Sequence, residues 1–195
     1  MMWMALFLMA GEETYHLGHA PKFANIVAEN HADLESTIVA TNEVSGTVTA
    51  DREKSTGSVS LRIPVSSLKS GIAMRDEHLQ GEWWLDARKH PDITFVSKKV
   101  RAYEKIPAAF EVIGDFTMHG KAKEIVVIVE TRELPADAVR KAKFPEGKWI
   151  RLSAQFEVKL SDHGVAIPEV AAGKVSDTWK IKMVLFAGTA KPEKK

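Results

Sequence analysis

Along most of this chain apolar and polar residues alternate one for one, the spacing of strands with a single buried face. The stretch 150–160 is the clearest case. Ile150, Leu152, Ala154, Phe156, Val158 and Leu160 share one side, opposite Arg151, Ser153, Gln155, Glu157 and Lys159. Phe110, Val112, Gly114, Phe116 and Met118 repeat the pattern against Glu111, Asp115 and Thr117. Val59, Leu61 and Ile63 oppose Ser58, Ser60 and Arg62, and Trp179, Ile181, Met183 and Leu185 oppose Lys180 and Lys182. Weaker alternation at 23–30, 35–40, 44–51, 93–103 and 125–132 brings the expectation to nine or so strands.

At about 3.3 Å per residue the 150–160 strand would be roughly 35 Å long. Long strands with one apolar face coil strongly, and closing the sheet removes its edges, so the pattern predicts an all-β antiparallel barrel. Two short helices interrupt it. Ser70 stands where it could cap one through Ile72, Met74, Arg75, His78 and Leu79. Pro135 stands at a favourable first position for another, through Asp137, Val139 and Lys141. Turn residues fall between the runs at 54–57, at His119-Gly120 and at Pro145-Glu146-Gly147.

Composition narrows the function classes. The 195 residues include 27 basic and 26 acidic side chains interleaved along the chain. Nucleic-acid domains usually carry a concentrated basic excess, so no nucleic-acid partner is expected. The chain has no cysteine, which excludes disulfides, thiol catalysis and cysteine-held metals. The apolar run 1–10 is too short to span a bilayer, which takes about 20 residues. It reads as the remnant of a secretory signal ahead of a domain at 11–190, with 191–195 a solvated tail.

No Gly-x-Ser-x-Gly elbow, Walker loop or His-Glu-x-x-His is present, so no catalytic residue is assigned. His16 and His19 are three apart in an extended segment, which does not bring them to one face, and no zinc spacing follows. A metal-assisted hydrolase or isomerase built from His78 and His119 is the first alternative to a binding function. The segment 68–85, LKSGIAMRDEHLQGEWWL, sets Arg75 and His78 on one helical face, where they could receive a polar head group, while Asp76 suits a structural role. Of Trp83 and Trp84, one should line the interior and the other sit under the helix or at the rim; Trp83 is the one assigned to the ligand. Phe95, Phe110, Phe116, Met118, Phe156, Trp179 and Met183 point inward by alternation. Periodicity alone favours their filling a solid core, which would leave a protein-interaction module, over their lining a hollow one.

The order of the motifs adds to this. LESTIVATNEVSGTVTAD precedes SVSLRIPVSSLKSGIAMRDEHL and WWLDARKHPDITFVSKKV, followed by FEVIGDFTMHGKAKEIVVIVE and VSDTWKIKMVLFA. Together they resemble the YceI-like family of polyisoprenoid-binding, lipocalin-like proteins over about residues 14–187. The resemblance rests on Arg75-Asp76-x-His78-Leu79, Pro91-x-x-x-Phe95, and Gly114 through His119-Gly120. It implies a lipocalin-like barrel of about eight strands, usually periplasmic or secreted. It also implies a polyisoprenoid or quinone-like lipid along the axis in place of any resident cofactor, with transient membrane contact and self-association compatible with that role. The chain departs from the family at Leu160 and His163-Gly164, before the last strand, and carries Ser70 where Thr is usual.

Overall fold

The alternating runs become the strands of one antiparallel sheet in the computed structural model, which describes residues 11–51, 54 and 56–191. In chain order these are β1 (Glu13–Leu17), β2 (Asn25–His31), β3 (Ser36–Thr41), β4 (Ser45–Asp51) and β5 (Thr56–Pro64). After a helical segment come β6 (Asp92–Ala102), β7 (Ala109–Met118), β8 (Lys121–Glu133), β9 (Trp149–Lys159) and β10 (Thr178–Gly188). Eight of them close a barrel in the order β1-β4-β5-β6-β7-β8-β9-β10, with β1 meeting β10 at His16 and Gly188. The β2–β3 hairpin extends this seam. β2 pairs with β10 from Glu29–Lys180 to Asn25–Val184, and β3 follows on β2. Beyond β3, Ala40 and Lys69 exchange backbone hydrogen bonds of 2.8 and 2.9 Å. The sequence anticipated every strand but β1, a five-residue run whose inward residues, Tyr15 and Leu17, are too few to make alternation visible.

Two glycines carry local geometry. At Gly114 a Cβ would lie 2.5 Å from the Val96 carbonyl oxygen and 2.7 Å from Cζ of Phe95. The β6–β7 register shifts there, between Ser97 and Lys99, so the missing side chain lets the strands bend together over the inward ring. His119 and Gly120, both with positive φ (51° and 72°), form the two-residue turn between β7 and β8. A Cβ on Gly120 would stand 2.5 Å from the His90 ring. Gly120→Ala is therefore expected to destabilise the protein by about 1–3 kcal/mol, from left-handed strain plus the collision, as thermal or urea unfolding would register.

The helices are α1 (Ala73–Gln80) and α2 (Ala136–Lys141). Both begin differently from the sequence expectation. Ile72, not Ser70, is the N-cap residue of α1, and no side chain caps it. Pro135 occupies the extended N-cap position of α2 instead of its first helical turn. α2 packs outside the barrel. Its Val139 joins Ala20, Trp149, Phe144 and Phe186 in a cluster separate from the interior core. Trp149 and Phe186 are out of phase with the inward residues of their strands, so parity sends them to this outer layer. The apolar run 1–10 and the last four residues of the tail lie outside the described residues.

Candidate functional site

The interior of the barrel is hollow. The inward side chains of β4 to β10, with Leu17, Ile26, Ala28 and Val39 from the seam, surround a cavity of about 150 Å³. Every lining residue is Ala, Val, Leu, Ile, Met, Phe or Trp. Such a wall offers water almost nothing to bond, whereas a hydrocarbon chain meets dispersion partners along its whole length. A barrel with this void is not the solid core of the interaction-module alternative.

One end of the cavity is formed by the segment between β5 and β6, which contributes Leu68, Leu79, Trp84 and Leu85 to the lining. Asp76 holds that segment. Its Oδ1 accepts hydrogen bonds from the Ser70 backbone N–H (2.6 Å) and the Ser70 hydroxyl (2.7 Å), and the residue is buried. Ser70 thus donates to an acidic side chain of the helix instead of capping it. The same two hydrogen bonds hold the Asp76 carboxyl below the ordinary aspartate range. A carboxylate with a depressed folded-state pKa stabilises the fold above its unfolded value, and that contribution disappears as pH falls through the folded value. Accordingly, Asp76→Asn should melt below wild type at neutral pH, and the gap should close on acidification below the ordinary aspartate range. A gap independent of pH would contradict this role.

Phe95, Phe116, Met118, Phe156, Trp179 and Met183 all line the cavity. Phe110 packs against the same core without lining the cavity. Arg75, His78 and Trp83 are not in the wall. Arg75 pairs with Glu35 of the β2–β3 turn at 2.5 Å, which ties α1 to the hairpin. His78 is exposed on α1. Trp83 is 82% exposed, and its neighbour Trp84 lines the cavity instead. The chain leaves α1 through tight turns, Trp84 N–H to Gly81 carbonyl (3.1 Å) and Leu85 N–H to Leu79 carbonyl (3.2 Å), which bring residues 84 and 85 inward. Adjacency of the tryptophans shows that one must turn in; only the turn geometry shows which. The seam residues Ile26 and Val39 and the segment's Leu79 and Leu85 were legible as apolar, but nothing in the sequence marked them as wall.

His119 meets His90 edge to face at 5.1 Å and lies 3.3 Å, through Nδ1, from the His163 carbonyl oxygen. His163, 1% exposed, donates from Nδ1 to the Lys121 carbonyl oxygen at 2.9 Å and packs on Phe116. These rings brace the β7–β8 turn against the 3-10 turn Ser161–His163. Among the described residues no three His, Asp or Glu side chains gather as metal ligands, and His78 has no place in this cluster.

A closed barrel around an apolar void is common to several families, so sequence likeness decides which. The model of the YceI-like domain matches residues 20–187. The chain belongs to the YceI-like family. Among curated relatives, UPF0312 proteins of Pseudomonas savastanoi pv. phaseolicola and Vibrio cholerae are 35% identical over 83 residues and 38% identical over 73. These alignments span 42% and 37% of this chain, and 42% and 38% of those proteins. The fold is similar to Burkholderia cenocepacia BcnA (TM-score 0.72, 24% identity, 87% of this chain and 99% of that one). It is also similar to a polyisoprenoid-binding domain of Saccharophagus degradans (TM-score 0.63, 15% identity, 89% and 97%).

Proposed function

We propose that this YceI-like barrel is a non-enzymatic carrier that holds a long-chain isoprenoid or quinone-like lipid along its axis, outside the cytoplasm. The observation that carries the reading is the all-apolar cavity. The family match and the polyisoprenoid-binding name of one structural relative support it. Apolar burial suffices energetically: each buried methylene contributes about 0.8 kcal/mol, so ten supply about 8 kcal/mol before the losses of association. No charged anchor is required for the tail. Delivery would be by brief contact with a membrane at the α1 end, where Leu34, Ile72 and Met74 are exposed beside the Arg75–Glu35 pair.

Titration of delipidated protein with all-trans prenols of increasing length tests the reading. Affinity should climb with each isoprene unit until the cavity is filled and then level off. Weak affinity with no dependence on chain length would contradict it.

A further inference from the structure

β7 pairs with β8 from Ala109 to Met118, and β9 pairs with β10 from Trp149 to Lys159, in both cases along the whole strand. Between these two seams the wall breaks. β8 and β9 pair only from Val129–Ala154 to Glu133–Ile150. Thr131 turns its N–H to the Ala108 carbonyl (2.8 Å), on the β7 side, so the even-numbered residues of β8 present theirs to β9. Ile128, Val126 and Glu124 therefore face a stretch of β9 with which, among the described residues, they form no ladder. The break ends where the Lys121 carbonyl meets His163 (2.9 Å) and Lys123 pairs with Asp162 (3.4 Å). What remains is a window of about five residues, roughly 16 Å at 3.3 Å per residue. Directly behind it Val127, Phe156 and Val158 line the cavity, and both valines are buried. Side chains thus stop the window where a ladder is missing, and outside it the β8 rim carries Val126, 55% exposed. The β5–β6 seam also stops short, at Ser60–Val96, but there the Ser97 hydroxyl accepts the Val59 N–H (2.8 Å) across the gap. Both ends of the barrel are filled. The segment between β5 and β6 covers one, and buried Tyr15, with Phe110 and Ile150, occupies the other, in the core but outside the cavity lining.

We propose that the break between β8 and β9 is a lateral gate, through which an extended apolar chain slides into and out of the cavity without passing either end of the barrel. This rests on the carrier reading and adds the route to it. Parting the strands here disturbs side-chain contacts alone. At a paired seam it would also strip backbone hydrogen bonds, which an apolar chain has no groups to replace. Phe156, only partly buried, and the two valines are the movable leaf, and changes of their rotamers uncover the cavity. The window lies in the half of the wall nearest α1, since β8 begins at the β7–β8 turn, where His119 meets His90.

The chain has no cysteine, so pairs can be introduced without competing thiols. Val126→Cys with Glu157→Cys places one thiol on each side of the break, on the outer face. Glu157→Cys with Lys180→Cys spans the paired β9–β10 seam and is the control. Each pair is strapped in folded, delipidated protein with a short bis-methanethiosulfonate linker. Uptake of retinol, a fluorescent isoprenoid alcohol, is followed by energy transfer from Trp84 and Trp179 in the cavity wall. Strapping the gate should slow both association and release at least about tenfold and leave affinity within about threefold, because a gate changes rates and not the bound state. Cleaving the linker with dithiothreitol should restore both rates, and the strapped control should exchange like wild type. Exchange indifferent to the strap, or slowed equally in the control, would overturn the gate while leaving a carrier. A larger fall in affinity with release unslowed would make the strap a plug in the site and would overturn it too. If wild type takes up no retinol, the carrier reading fails and the gate with it.

Discussion

Trp149→Ala should destabilise the protein by about 3–5 kcal/mol, the usual range for removing a fully packed tryptophan. Trp149 is 0% exposed, stacks on Phe144 at 4.2 Å, meets His19 at 6.0 Å and donates to the Pro145 carbonyl. Val139, Phe144 and Phe186 pack in the same cluster, so removing the indole leaves a cavity among them. At this chain length each kcal/mol is worth about 2–4 °C in melting temperature, so the loss should exceed about 6 °C. Phe156→Ala, made in delipidated protein, should cost distinctly less. Phe156 is only partly buried, because one side of its ring faces a space that is already empty, and it has fewer contacts to lose. Equal losses for the two variants would mean that the barrel interior is as tightly filled as its outer layer.

Adding bulk to the wall should have the opposite profile. Ala28 faces the cavity from β2, across from Val39 and Ile181. In a filled core, forcing a tryptophan into an alanine site costs about 1–3 kcal/mol or more. Here the indole has open space to enter, so Ala28→Trp should melt within a few degrees of wild type. The space it takes is the ligand's, so prenol binding should fall at least about tenfold. Unfolding with no effect on binding in the surviving folded fraction would point to a ligand site elsewhere.

Most of the barrel was legible because alternation is a strong signal wherever a strand has several inward residues. The 150–160 run matches β9 to within one residue at each end, and its parity correctly sorts Leu152 and Phe156 from Glu157 and Lys159. The same rule places Phe116, Met118 and Met183 in the wall. What escaped were features decided by contacts distant in sequence. The β1 strand owes its place to β4 and a single meeting with β10. Ser70 reads as a helix cap because its type favours one, but the helix starts two residues later, with Ile72 at the N-cap, and Ser70 donates its N–H and hydroxyl to the buried Asp76 carboxylate. Arg75 and His78 share a helical face, but the face looks outward, and Glu35 on another hairpin claims the arginine. Hollowness itself is not written in the alternation. A solid barrel and a hollow one share the same pattern of inward apolar residues, and only the separation of the facing walls distinguishes them.

A long isoprenoid lipid carried in this hollow interior should be visible in native mass spectra of the protein purified without detergent from cells that make prenyl lipids. The spectrum should show a species heavier than the polypeptide by the mass of one intact lipid, removed by organic extraction and identified there as a prenol or prenylated quinone. A bare polypeptide mass, together with no uptake of added prenol by the same preparation, would rule out an isoprenoid cargo.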